Sequence, residues 1–295
     1  MATTAAVMVK PAAPVQANLW SDAWRRLRRN RLALAGAIYL TLLIGIALLA
    51  FVYTPYKMEE VGVAVPYSPP GGAHWLGADA LGRDILSRLM VGAQISLIVG
   101  VGTQLFVLAV GVPIGLIAGY YKGWVDSFVS FFINVFYGIP DLLVALILVF
   151  LLGPSLTNII IAIVATRWMD MTRLVRGQTL ALREREFIEA ARASGAKPFK
   201  ILFGHILPNA LGPIIVQATL GVPAAILFEA FLSFLGLGVP APQPSWGSMA
   251  ADGIAAMRIA PHIVVAPAIA LSITLMAFNF LGDGLRDALD PRQKR

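Results

Sequence analysis

The chain has 295 residues, 58% of them hydrophobic and only 13% charged, with a formal net charge of +7. A soluble domain of this size carries about 25% charged residues, so this chain lacks the polar surface to coat itself against water, and its composition fits a protein that faces lipid. Disulfides and thiolate metal sites are excluded by the absence of cysteine, and the basic residues cluster beside apolar runs, which reads as membrane topology and contact with anionic lipid headgroups; no nucleic-acid partner is expected.

Residues 1–19 are mostly Ala, Val, Pro and Thr with one Lys. They do not read as a secretory leader, because the basic cluster from Arg25 to Arg31 comes after them. An apolar run at 32–53 follows, long enough as a helix of about 33 Å to cross a bilayer core of about 30 Å. Residues 54–92 are polar and rich in Pro and Gly, an extracytoplasmic segment. Within it, 79–88 has mixed charge and reads as a short amphipathic helix at the outer surface or as a docking surface for an extracytoplasmic partner. Five more spans are expected near 95–120, 139–152, 156–168, 209–234 and 263–281, within a core domain of 93–285. A cytoplasmic N-terminal segment (1–31) and tail (286–295) complete the division. Under this topology nineteen Lys and Arg fall on the inner side, while Lys57, Arg83, Arg88 and Arg258 fall outside. That asymmetry puts both termini in the cytoplasm.

No G-x-x-x-x-G-K-[ST] phosphate loop occurs, so any ATP chemistry has to come from a partner chain. The three histidines, His74, His205 and His262, are too far apart to form a local metal motif, and no metal site is expected. An intramembrane hydrolase needs a nucleophile with its base, or paired acids, at membrane depth, and no such motif is present. No internal repeat supports a stand-alone secondary transporter.

The segment 173–208 carries the most information. Around Glu189 it favours helix, Gly195 suits the left-handed position after a helix end, and Pro198 suits the first turn of a second helix. A helical hairpin at the membrane face can receive a push from a soluble partner; its plainer reading is a loop that caps the bundle. Glu229, within the fifth span and about 30 Å from Asn209, could line an outer gate or satisfy a helix end. Asp141, just past Pro140, carries the same two readings. Gly111, Gly115 and Gly119 recur every four residues on the second span, for close packing within this chain or against a second subunit.

The string Glu189-Ala190-Ala191, three residues, Gly195, then Leu207-Pro208 resembles the EAA signature loop of bacterial ABC-importer permeases, with His205 where the family has Ile. His205-Ile206-Leu207-Pro208-Asn209 is similar to the peptide and nickel branch. So are Leu76-Gly77-Ala78-Asp79-Ala80-Leu81-Gly82-Arg83-Asp84, Leu232-Ser233-Phe234-Leu235-Gly236-Leu237-Gly238, Ser245-Trp246-Gly247 and the tail from Leu281 to Arg292. Many relatives carry an Arg and an Asp on the helix after Gly123, where this chain has Phe131 and Asn134.

The resemblance covers residues 20 to 292. It implies an all-α membrane protein with six transmembrane helices in the type I ABC importer permease fold, one N-terminal helix plus a five-helix core. It implies the C-type permease of a dipeptide or oligopeptide importer, with nickel or glutathione importers of the same family as the alternative. It further implies that Glu189, Ala190, Ala191, Arg192 and Gly195 couple this chain to an ATPase. Small residues there permit close approach, while Glu189 and Arg192 supply polar contacts. Expected partners are a second related permease, two ATP-hydrolysing subunits that bind ATP and Mg, an extracytoplasmic solute-binding protein and lipid; no cofactor is expected on this chain.

Overall fold

A computed structural model describes residues 19–289, and every regular element among them is helical. Residues 1–18 and 290–295, parts of the expected terminal segments, lie outside the described residues.

The short amphipathic α1 (Leu19–Leu27) precedes α2 (Arg31–Leu49). Asn30 caps α2 by accepting the Ala33 N–H at 3.1 Å, satisfying one of the orphan donors of the first turn. α2 lies against α11 (His262–Leu289) almost backbone to backbone. A Cβ on Gly36 would stand 2.6 Å from the Ala277 carbonyl oxygen, and one on Gly284 2.3 Å from the Ala33 Cβ. In lipid, where apolar burial gives helices little reason to associate, such close approach supplies the packing energy.

Residues 50–84 are turns built around two carboxylates. Asp79 accepts from the Leu81 and Arg83 amides at 2.9 and 3.0 Å and from Arg83 Nε at 2.7 Å. Asp84 caps the next helix through the Ser87 N–H at 2.8 Å and meets His74 Nδ1 at 2.9 Å. The amphipathic helix expected over 79–88 is therefore not formed: 79–84 is a turn, and 85–88 is the first turn of α3 (Ile85–Tyr121). This helix begins ten residues before the expected span because its outer polar residues are buried against protein; Gln94, for example, donates to the Ala47 carbonyl at 2.7 Å.

α3 is the backbone of the bundle, 37 residues or about 55 Å long. Its glycine stripe packs on α6 (Leu156–Leu182) within this chain, which decides between the two readings of that stripe. A Cβ on Gly111, Gly115 or Gly119 would stand 2.8 Å from Met171 Cβ, 2.7 Å from the Thr172 oxygen and 2.6 Å from Thr179 Cβ respectively.

Between these two helices the chain forms α4 (Gly123–Tyr137) and α5 (Asp141–Leu152), bent 85° to one another. Pro140 causes the break: it has no N–H to donate and pushes the residue before it out of helical geometry. The expected third span thus begins at Asp141. The expected fourth span ends not at 168 but at Leu182. Asp170, Arg173 and Arg176, beyond the expected end of that span, lie with Arg167 inside α6, where Asp141 and Asp126 pair with Arg167 and Arg176 and Tyr137 meets Asp170 and Arg173.

After α6 come α7 (Glu186–Ala193) and α8 (Pro198–Ile201). A π turn (Leu202–Ile206) leads without interruption into α9 (Leu207–Phe234), where the Leu207 N–H donates to Leu202, five residues back. The widening gives room for the Pro208 ring, which would otherwise press on the carbonyl four residues earlier. α10 (Trp246–Ile254) opens with a reciprocal cap between Ser245 and Ser248 and packs on α9 and α11.

Among the described residues, α2, α3, α9 and α11 are each long and apolar enough to cross a membrane, and the bent α4–α5 pair passes the same test when taken as one span. α6 is long enough and forms a hairpin with α5, but its four charges keep its composition below that standard. It is the sixth.

Candidate functional site: the exposed hairpin and the charged face of α6

The α7–α8 hairpin is rooted by three isoleucines. Ile188, Ile201 and Ile206 are at most 1% exposed and join Val107, Leu116, Met171 and Val175 in one apolar cluster. Burying each contributes about 1.5–3 kcal/mol, so the hairpin is fixed to the ends of α3 and α6. Gly195 has φ +77°, and around it the chain makes both bonds of a Schellman ending: Ala196 N–H to the Ala191 carbonyl at 3.0 Å, and Gly195 N–H to that of Arg192 at 2.9 Å. The helix, glycine stop and proline start read from the sequence are all formed.

Of the expected contact residues, Glu189, Ala190, Arg192 and Gly195 are exposed and Ala191 is half-buried. The Arg192 guanidinium rests 5.5 Å from the Tyr120 ring centre. Beside them Phe199, 71% exposed, stacks on Phe203 at 4.6 Å. Two aromatic rings bared next to a charged helix end form a patch rimmed by polar residues, the composition of a protein contact rather than of a solvated loop. Lys122 Nζ meets Glu184 Oε1 at 2.7 Å and holds that carboxyl below the usual carboxylate range; Arg183 donates to the Tyr120 carbonyl. Both tie the end of α6 to the end of α3.

The two acids expected at membrane depth have different settings. Glu229 is fully buried between α9 and α10, where its Oε1 accepts from Ser233 Oγ at 2.6 Å and Ser245 Oγ at 2.7 Å. It stands near the C-terminal end of α9, as counting along the helix implies, but it faces protein on all sides and braces α10. A Cβ on Gly247 would sit 2.5 Å from the Ala230 Cα and 3.1 Å from the Glu229 Oε2, so the glycine of Ser245-Trp246-Gly247 lets α10 lie close against α9 at this carboxylate.

Asp141 begins α5 and meets Arg167 Nη2 at 3.1 Å. Each lies eleven residues from the tight α5–α6 turn, about 17 Å along its helix, a length close to half of a bilayer core of about 30 Å. Below this pair the same face of α6 continues. Asp170 accepts from the Tyr137 hydroxyl, Arg173 lies 4.3 Å from the Tyr137 ring centre, and Arg176 Nη2 donates to Asp126 at 2.8 Å. Sequence reading missed this ladder, although the three-residue spacing of Arg167, Asp170, Arg173 and Arg176 is that of one helix face.

The comparisons with known proteins agree with this architecture. Residues 111–295 match the family described as "Binding-protein-dependent transport system inner membrane component", and residues 18–70 match the "N-terminal TM domain of oligopeptide transport permease C". The chain is 46% identical over 276 residues to the dipeptide transport system permease protein DppC of Bacillus subtilis, covering 93% of this chain and 86% of that protein. It is 44% identical to the oligopeptide transport system permease protein OppC of the same organism, covering 94% and 91%. It is 41% identical to the glutathione transport system permease protein GsiD of Pectobacterium atrosepticum, covering 93% and 92%. Among solved structures, the inward-facing MetNI methionine ABC transporter superimposes with a TM-score of 0.55 at 22% identity, over 68% of this chain and 96% of that one, a likeness of fold. With a family match over more than half its length and relatives above 40% identity across nearly all of it, this chain belongs to the binding-protein-dependent transport system inner membrane components.

Proposed function

We propose that the chain is the transmembrane permease subunit of an ATP-binding-cassette importer for dipeptides or oligopeptides. It forms half of the translocation pathway and couples that pathway to ATPase subunits through residues 189–195. The observation that carries this reading is the exposed hairpin, fixed by buried isoleucines and flanked by bared aromatics, in a chain that matches peptide permeases over 93% of its length. ATP and Mg bind partner subunits and this chain hydrolyses nothing; a related permease and an extracytoplasmic binding protein complete the assembly.

The chain crosses the inner membrane several times with both termini inside. Counting Arg167 as intramembrane leaves eighteen basic residues on the inner side against four outside, so the orientation rests on the same asymmetry. Closure of two ATPases on ATP favours one arrangement of the hairpin and so shifts the bundle between inward- and outward-facing states.

The test is reconstitution of the complete complex in liposomes with dialanine-loaded binding protein. ATP-dependent uptake is expected; uptake by this chain alone, or none by the assembled complex, overturns the reading. Glutathione is the second solute to try, because a glutathione permease stands among the relatives at 41% identity.

A further inference from the structure

Beside the Arg167–Asp141 pair, α3, α6 and α9 enclose a recess of about 100 Å³ lined by Gln104, Arg167, Asp170, Gln217 and Gly221. Polar groups in a bilayer interior are costly and persist where they face partners or water. Here three of the four polar side chains retain unused bonding capacity. Gln104 is 7% exposed, yet its carboxamide has no hydrogen-bond partner among the described residues, and neither has that of Gln217. Arg167 Nε is buried with no partner, its guanidinium held from the sides by Asp141 and by the Phe228 ring at 5.2 Å. The recess is shaped for Gln104: a Cβ on Gly221 would stand 2.4 Å from the Gln104 Oε1, so the bare glycine is what seats this side chain. A buried polar atom is almost always paired; the unpaired Arg167 Nε, beside two carboxamides that line the same recess without a protein partner, points to something that enters it.

The donor set defines the chemistry of the entrant. A carboxamide offers one acceptor and a two-proton donor, the complement of a peptide unit, and every peptide presents that unit whatever its side chains. Arg167 offers N–H donors to a carboxylate, and Asp170, one turn away, accepts from an ammonium. Residues three apart on a helix have Cβ atoms about 5–6 Å apart, and an extended dipeptide spans at most about 7 Å, so opposite charges at this spacing match the two ends of a short zwitterion.

We propose that this recess is a midplane contact site for the peptide solute: Gln104 and Gln217 bond its main-chain amides, Arg167 its carboxylate and Asp170 its ammonium. This rests on the importer reading above. A recess of 100 Å³ is smaller than a complete small-molecule site of about 300 Å³ or more, so this chain supplies one wall and the second permease the other.

The experiment uses the complete complex in liposomes, with two measurements. In the first, Gln104→Leu, Gln217→Leu and Asp170→Asn are compared for dialanine uptake and for ATP hydrolysis stimulated by loaded binding protein. Asn at 170 keeps an acceptor for Tyr137. Uptake per ATP hydrolysed is expected to fall by about tenfold, the loss of one well-made hydrogen bond, with stimulation retained. In the second, Ala224→Cys, on the recess wall of a chain with no native cysteine, is exposed to a small water-soluble methanethiosulfonate. Ala224→Cys should react during turnover and be slowed by excess dialanine, while Ile161→Cys, 46% exposed on the outer side of α6, should not react. An unchanged ratio of uptake to hydrolysis in all three variants, or no reaction at 224 in a complex that does import dialanine, overturns the site. A wild-type complex that imports no peptide instead overturns the importer reading.

Discussion

Replacing Gly195 with valine tests the hairpin at its most sensitive point. A Cβ at Gly195 meets nothing within 4 Å, so the substitution carries no steric cost from neighbours. What it does carry is the cost of holding a side chain at φ +77°, about 1–2 kcal/mol and highest for a β-branched residue. Relaxing to negative φ gives up the Ala196–Ala191 and Gly195–Arg192 bonds, each worth about 0.5–1.5 kcal/mol. Either route disfavours the native ending by more than 1 kcal/mol, about a tenfold loss in its population. Ile188 stays fully buried, so α7 remains on the bundle while its exposed end changes direction. Assembly should survive; ATP hydrolysis stimulated by binding protein, and uptake, should fall about tenfold. Asparagine tolerates the left-handed region and should be much less damaging. Equal activity of the Gly, Asn and Val forms in reconstituted complexes would refute both the backbone argument and the coupling role.

Four further outcomes follow from the packing and topology. Ile188→Ala removes a fully buried side chain and should cost about 2–5 kcal/mol; a detergent-solubilised complex should release the hairpin to limited proteolysis well before the bundle unfolds. Gly115→Leu would drive a side chain into the Thr172 oxygen and Val175 Cβ, both 2.7 Å away; with backbone unable to yield, thermal unfolding in detergent should drop sharply or the protein fail to accumulate. Glu229→Gln keeps an acceptor for Ser233 and Ser245 and should leave uptake near wild type, whereas Glu229→Leu strands two hydroxyls at about 1–3 kcal/mol each and should loosen α10 and lower uptake. For topology, cysteines at Val65, 74% exposed, and at exposed Ala241 should be labelled from outside intact cells by an impermeant thiol reagent, and one at Ala193 should not.

The parts of the fold that depend on local chemistry were legible in the sequence. Gly195 and Pro198 mark the hairpin because only certain residues tolerate those backbone positions; Pro140 offers the same kind of mark, yet the expected third span ran through it from 139. What hydropathy obscured was charge compensated across helices. Arg167 and Asp170 look like the beginning of a loop until Asp141 and Tyr137 are placed beside them, and those partners lie some thirty residues away in the chain. Arg88 and Gln94 hid the first ten residues of α3 in the same way. Glu229 was placed near the end of its helix but not in its setting, because its partner Ser245 caps a helix beyond a polar loop. Gln104 and Gln217 gave no signal at all: an uncharged amide in an apolar run is unremarkable until the space it faces is known.

From Pro198 to Phe234 the chain runs as one helical rod of 37 residues, about 55 Å, with a π turn near one end and Pro213 and Pro223 within it. Its N-terminal end is the second arm of the hairpin, and its C-terminal end is gripped through Glu229 by the cap of α10. A helix hardly stretches along its axis. A shove at the hairpin therefore arrives at the far face as a tilt or a swing, with the widened turn and the two prolines as the compliant joints. The two sides of the membrane are joined by covalent bonds, and the side-chain network serves to steer the rod.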